Sequence, residues 1–201
     1  MPSRSRLIFA LSAICIALAV AAAALFVQRG PGGDVIGKAL VGGPFSLTDQ
    51  TGRQVTEKSY PGKYLLVFFG YTSCPDVCPG GLQVMSSALD ALGPLADRIQ
   101  PLFITIDPAR DTASVMKEYA ANFHPRLVAL TGSDAEIAVA AKAYRVFYGK
   151  PKSEEGKADY LMDHTSLFYF MAPDGSFATH VSYGTSAADF AEKLRRAIGA
   201  E

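Results

Sequence analysis

Three side chains in this sequence are the best equipped for chemistry: Cys74, Cys78 and His164. The cysteines lie in residues 70–81, GYTSCPDVCPGG, and Cys-x-x-x-Cys spacing puts both sulfurs on one face of a helical turn. Helix-start amides and the positive end of the dipole favour thiolate, the form that ligates metal and attacks disulfides. Spacing alone leaves three roles open. Thiolates select monovalent copper or zinc over magnesium or calcium, and two of them leave a coordination shell that needs a third ligand from elsewhere. A redox dithiol would cycle through a disulfide. A structural staple would gain little across so short a loop. Histidine is scarce. His124 precedes Pro125 in a loop, where it suits a solvated or capping role, and His180 sits at a strand end on the surface. His164 stands just ahead of a strand, beside Asp163, which could orient or screen the imidazole. The thioether of Met162 is soft, yet loop or core contacts account for it.

The elements around these residues follow from periodicity and punctuation. Residues 63–70 (KYLLVFFG) form an apolar run bounded by glycines, hence a buried central strand, with Phe68 and Phe69 in the core and Tyr71 placed to line the site. A helix covers 82–92 and closes at Gly93-Pro94; an interior proline clashes with the preceding turn, so the regular helix is expected to start near Pro79. Residues 99–107 are a second strand, with Pro101 confining its beginning to an edge or an irregular start. Segments 45–48 and 54–56 flank a hairpin turn at 49–52. Helices are expected over 112–123 and 134–144, the latter capped by Ser133 and Glu136, with a strand at 127–130 between them. Residues 149–159 are polar and read as a solvated loop. Antiparallel strands at 166–171 and 176–181 precede an amphipathic helix at 186–198. This order gives an α/β domain: a mixed central sheet flanked by helices on both faces.

The 201 residues are 49% hydrophobic and 19% charged, which excludes a disordered chain. Nineteen basic residues balance nineteen acidic ones, but the first twenty-seven residues hold only Arg4 and Arg6. Residues 28–201 therefore carry 17 basic against 19 acidic groups, a net of −2, with no basic patch for nucleic acid. Residues 7–27 run without a charge, long enough to cross a hydrocarbon core of roughly 30 Å as a helix. The two arginines ahead of that run keep the N-terminus cytoplasmic. Signal-peptide cores usually stop at about 7–15 residues, so an uncleaved anchor is favoured over cleavage near Ala21–Ala24. The expected layout is a cytoplasmic tip (1–6), an anchor (7–27), a Gly/Pro-rich linker (28–40) and an exported domain (41–201). Cys15 falls inside the anchor as an inert hydrophobe, leaving Cys74 and Cys78 as the exported pair. No Arg- and Ser-rich transit peptide precedes the run. The expected location is thus the bacterial cytoplasmic membrane, single-pass, with the domain facing the periplasm.

FFGYTSCPDVCP at 68–79, ITIDPARDT at 104–112, YRVFY at 144–148 and DHTSLFYFMAPDG at 163–175 follow the anchor and linker in that order. Together they resemble the SCO/SenC family of copper-binding proteins over nearly the whole chain. The resemblance implies a thioredoxin-like fold and one copper ion per domain, Cu(I) or Cu(II), bound by Cys74, Cys78 and His164. It also implies a metallochaperone role in building the dinuclear copper site of cytochrome c oxidase. The implied partners are the copper-bearing oxidase subunit, a thioredoxin-type thiol reductant and other copper chaperones. Asp107 and Asp111 fall in a matched segment, where a structural role is at least as natural as a direct one. Thioredoxin-type reductases carry Cys-x-x-Cys facing a cis-proline. Here the spacing is one residue longer, and His164-Thr165 stands where such a fold has Pro-Thr. An imidazole offers a lone pair, which suits a metal shell better than substrate docking. Metal delivery, which is not an enzymatic activity, is the leading expectation. The alternative is a thiol-disulfide reductase using Cys74 and Cys78 to keep the oxidase copper-ligand cysteines reduced.

Overall fold

The strand β3 (Tyr64–Gly70) forms the axis of the domain in this computed structural model, which describes residues 41–157 and 159–199. It is buried from Leu65 onward, as a run apolar on both faces requires. β4 (Ile99–Thr105) runs parallel to it, and β5 (Val128–Thr131) runs parallel to β4. The hairpin of β1 (Ser46–Asp49) and β2 (Gln54–Thr56) closes one side of the sheet, with β1 antiparallel to β5. After a separate ladder of β6 (Tyr148–Gly149) with β7 (Asp163–His164), strands β8 (Leu167–Met171) and β9 (Phe177–Ser182) close the other side. The seven-stranded order is β2-β1-β5-β4-β3-β8-β9, with β8 antiparallel to β3.

Among the described residues, four α-helices cover the sheet: α1 (Val77–Leu92), α2 (Ala113–Ala120), α3 (Asp134–Ala143) and α4 (Ala187–Ile198). Ring contacts show that both faces are used. Phe68 stacks on Phe168 at 4.3 Å and on Phe103 at 6.1 Å; Phe168 meets Phe190 of α4, and Phe103 meets Tyr119 of α2. One residue along the strand, Phe69 turns to the opposite face and meets Tyr144, the C-cap of α3. Alternation with period two thus assigns each aromatic to its layer.

Most expected elements are present, with α3 capped by Ser133 and Glu136 in a reciprocal box. One expectation changes and one holds. The first helix begins at Val77 rather than near Pro79, because Pro79 falls in the first turn, where the N–H it lacks has no intrahelical acceptor. Pro101 lies, as expected, in an edge-like start of a strand that becomes central only beyond it. It pairs with Leu66 of β3, but β5 joins β4 only from Leu102, so the proline sits where β4 has a neighbour on one side only. The expected anchor (7–27) and linker (28–40) lie outside the described residues. No helix among the described residues is long and apolar enough to cross a membrane.

Candidate metal centre

Topology brings the chemistry to one rim of the sheet. Parallel β3 and β4 both end there, which is where open α/β sheets present functional groups. Because β8 is antiparallel to β3, pairing Phe68 with Phe168, the chain entering β8 lies beside the chain leaving β3. The two-residue β6–β7 ladder pairs Tyr148 with His164, and Thr165 N donates to the Phe147 carbonyl at 2.9 Å, fixing the segment that carries the imidazole.

Cys74 lies in the turn after β3 and Cys78 in the first turn of α1. Cys78 N donates to Cys74 Sγ at 3.4 Å, while Cys78 Sγ lies 3.5 Å from His164 Nε2 across a separation of eighty-six residues. His164 Nδ1 donates to its neighbour's carbonyl, Thr165 O, at 3.1 Å, which leaves the Nε2 lone pair facing the sulfurs. The two Sγ atoms and a ring nitrogen lie within 4.8 Å of one another. Cys78 is fully buried and Cys74 is 9% exposed, so the pair has one sulfur at the surface side and one at the core side.

The electrostatics separate the two thiols. The Cys78 side chain, donating to Cys74 Sγ, does most to hold the Cys74 thiol well below its ordinary range; burial opposes this, and the backbone N–H groups of Cys78 and Asp76 assist. Cys78 is pushed up by the same hydrogen bond, by burial and by the Cys74 charge. The proton of the pair therefore stays on the inner sulfur. Two soft sulfurs and one imidazole, on a water-poor floor of Phe68 and Tyr71 (ring centroids 6.2 and 6.1 Å from His164), suit a soft cation.

Of the expected site residues, the structure brings Cys74, Cys78 and His164 together. His124 is elsewhere: its Nδ1 accepts from Arg126 N at 3.2 Å and its backbone N–H donates to Ser86 Oγ, a capping role as expected. His180 is exposed on β9. Met162 is half-buried against the core, and its N–H donates to the Tyr71 hydroxyl at 3.2 Å. Asp111 is fully buried and supports the cysteine turn, accepting from Thr72 N (3.0 Å), Thr72 Oγ1 (2.5 Å) and Thr105 Oγ1 (2.6 Å). Asp107 pairs with Arg110 and accepts from the Tyr160 hydroxyl at 2.7 Å. Sequence reasoning missed Gly70, Arg110 and Tyr160. A Cβ on Gly70 would lie 2.6 Å from Cys78 Sγ, a close approach signalled only by a glycine ending so bulky a strand. Arg110 lies inside a matched segment, but Tyr160 follows a polar loop with no period to mark it.

The SCO1/SenC family model matches residues 33–199. The human protein "SCO1 homolog, mitochondrial" is 44% identical over 167 residues, covering 80% of this chain and 55% of the relative. Protein sco1 of Schizosaccharomyces pombe is 43% identical over 166 residues, covering 82% and 62% respectively. The chain thus spans a little over half the length of these curated relatives. Among solved structures, Bradyrhizobium japonicum ScoI with copper bound has TM-score 0.70 and 46% identity, covering 78% of this chain and 98% of that one. Yeast Sco1 with copper bound has TM-score 0.74 and 38% identity, covering 81% and 91%. These structures share the mixed, thioredoxin-like sheet described above. On the reach of the family match and the identity to these relatives, the chain belongs to the SCO1/SenC family.

Proposed function

We propose that this protein binds one copper ion between Cys74, Cys78 and His164 and delivers it during assembly of the dinuclear copper site of cytochrome c oxidase. The observation that carries this reading is the convergence of two sulfurs and one imidazole nitrogen within 4.8 Å on a buried scaffold. The donor set is soft, and the copper-bound structures of relatives support copper as the ion. The oxidase target rests on the family resemblance. The copper is cargo: ligation needs thiolate sulfur, so only the reduced pair loads. We place the domain on the periplasmic side of a bacterial cytoplasmic membrane, tethered by residues 7–27. A tether of that kind confines the carrier near a membrane target and raises their effective concentration.

A second reading has its own support. The more exposed Cys74 is the thiolate and the fully buried Cys78 holds the proton, the division of labour of an attacking and a resolving thiol. In that chemistry the Cys74 sulfur attacks a target disulfide and expels one target thiolate. Cys78 then closes the Cys74–Cys78 disulfide, expelling the other, and an external dithiol restores the pair.

Titration of the reduced full-length chain with Cu(I) against a competing chelator separates the two. The chaperone reading expects one tightly bound ion, with Cys74→Ser, Cys78→Ser and His164→Ala each weakening it by tenfold or more. Unchanged affinity in His164→Ala, together with disulfide reduction abolished by either cysteine change, would favour the reductase.

A further inference from the structure

Outside the ligands themselves, the chain that leads into His164 is held by little regular structure. The β6–β7 ladder is two residues long on each side, and among the described residues of 150–162 the regular structure is the short 3-10 turn Lys152–Glu154. Besides the Leu161 N–H to Glu154 Oε2 bond within it, three hydrogen bonds tie this segment to residues just beyond the ends of β3 and β4. The Met162 N–H donates to the Tyr71 hydroxyl at 3.2 Å. The Tyr160 hydroxyl donates to Asp107 Oδ1 at 2.7 Å. Arg110 Nη1 donates to the Tyr160 carbonyl at 3.0 Å.

Arg110 joins these contacts into one unit. Its Nε donates to Asp107 Oδ2, its guanidinium carbon lies 3.7 Å from the Tyr160 ring centre, and the same group lies 5.7 Å from the Tyr71 ring centre. Lys150 Nζ also approaches the Tyr160 ring, at 3.2 Å. The Arg110 side chain is 23% exposed and its partner Asp107 4%. Nη2 is buried without a hydrogen-bond partner among the described residues, so the site holds this cation by its plane as much as by its donors. A lysine carries the same charge but has neither the plane nor the forked donors to bond Asp107 and the Tyr160 carbonyl together.

We infer that Arg110 is a positioning residue for the His164 ligand: with Asp107 and Tyr160 it forms a latch that keeps the imidazole over the two cysteine sulfurs. This rests on the reading of Cys74, Cys78 and His164 as copper ligands. Arg110 makes its hydrogen bonds and ion pair with Asp107 and Tyr160 rather than with any of the three; it acts by restricting the segment that carries one of them. Releasing the latch leaves the cysteines in place and lets the His164 segment sample other positions. If the competent position falls to a tenth of the population, the apparent affinity falls about tenfold.

The test uses the reduced full-length chain and Cu(I) with a competing chelator. Arg110→Lys and Tyr160→Phe are each made in the wild-type and His164→Ala backgrounds. A parallel sample loaded with Cu(II) is read by electron paramagnetic resonance for imidazole nitrogen coupling. Arg110→Lys is expected to weaken Cu(I) about tenfold in the wild-type background and less than twofold beside His164→Ala, with the nitrogen coupling weakened or split into several forms. Tyr160→Phe keeps the ring and loses one hydrogen bond; a drop of about threefold, with the same dependence on His164, is expected and stands independently should Arg110→Lys fold poorly. Wild-type affinity and coupling in both variants would overturn the latch, and so would equal losses in both backgrounds, which mark general support of the fold. Unchanged affinity in His164→Ala alone would overturn the ligand reading and the latch with it, and that single variant shows which of the two has failed first.

Discussion

At Gly70 the site depends on the absence of a side chain. Its carbonyl accepts from Ile106 N at 2.8 Å, while the space a Cβ would occupy is filled by Cys78 Sγ at 2.6 Å and Phe103 Cε2 at 2.9 Å. Neither neighbour is the free end of a flexible chain, so Gly70→Ala forces the helix start or the strand to shift. Overfilling of this kind costs about 1–3 kcal/mol. We expect Gly70→Ala to lower stability by that amount in urea unfolding and to weaken Cu(I) binding at least tenfold; wild-type values for both would show that the cysteine turn is not held this tightly. Asp111 poses the opposite problem. Removing its carboxylate leaves Thr72 N–H and Oγ1 and Thr105 Oγ1 without their acceptor beside Cys74. Stranded buried donors cost about 1–3 kcal/mol each. Asp111→Ala is therefore expected to lose several kcal/mol in denaturant titration, making the aspartate structural to the site rather than a ligand.

The β1–β2 hairpin shows the same economy at the scale of an element. Burial alone would raise the Asp49 carboxyl, but hydrogen bonds from Thr51 Oγ1, Arg53 N, Thr51 N and Arg53 Nε outweigh it and hold the group at about 2, against 3.8 for the free side chain. A depressed carboxylate stabilises the fold above its unfolded value and loses that contribution as pH falls through the folded one. We expect Asp49→Asn to cost about 2 kcal/mol at pH 6 by urea unfolding, with the gap to wild type closing between pH 4 and about 2; a gap independent of pH would contradict this. That hairpin was legible in the sequence because the turn 49–52 separates two alternating runs. β3 was legible as an apolar run between glycines, and α3 from Ser133 and Glu136. The two-residue strands β6 and β7 were not, since two residues make no period, and yet they carry His164. Pro101 was legible for a physical reason: its strand is central, but the proline's own position has only one neighbour, as a residue without an N–H requires. Residues 149–159 read as a solvated loop from composition, and nothing local to them reveals that Tyr160, just beyond, docks on Asp107 and Arg110, fifty-three and fifty residues away in sequence.

On the scale of the whole molecule, the candidate site is a consequence of strand direction. Parallel β3 and β4 deliver Cys74, Asp107 and Arg110 to one rim, and antiparallel β8 returns His164 to it. The identity of the three residues was legible from their motifs, while their proximity needed the fold, because periodicity does not reveal which strands become neighbours. Much of the domain then acts as a mount, with stacked rings of Phe68, Phe103 and Phe168 behind the cysteine turn limiting its movement. In the proposed centre, two sulfurs and one imidazole share a single ion. Copper-edge X-ray absorption on the Cu(I)-loaded full-length chain, beside His164→Ala, tests it most directly. Two sulfur scatterers and one nitrogen in the wild type, with the nitrogen lost in the variant, is the expected result; a sulfur-only shell that His164→Ala leaves unchanged would contradict it.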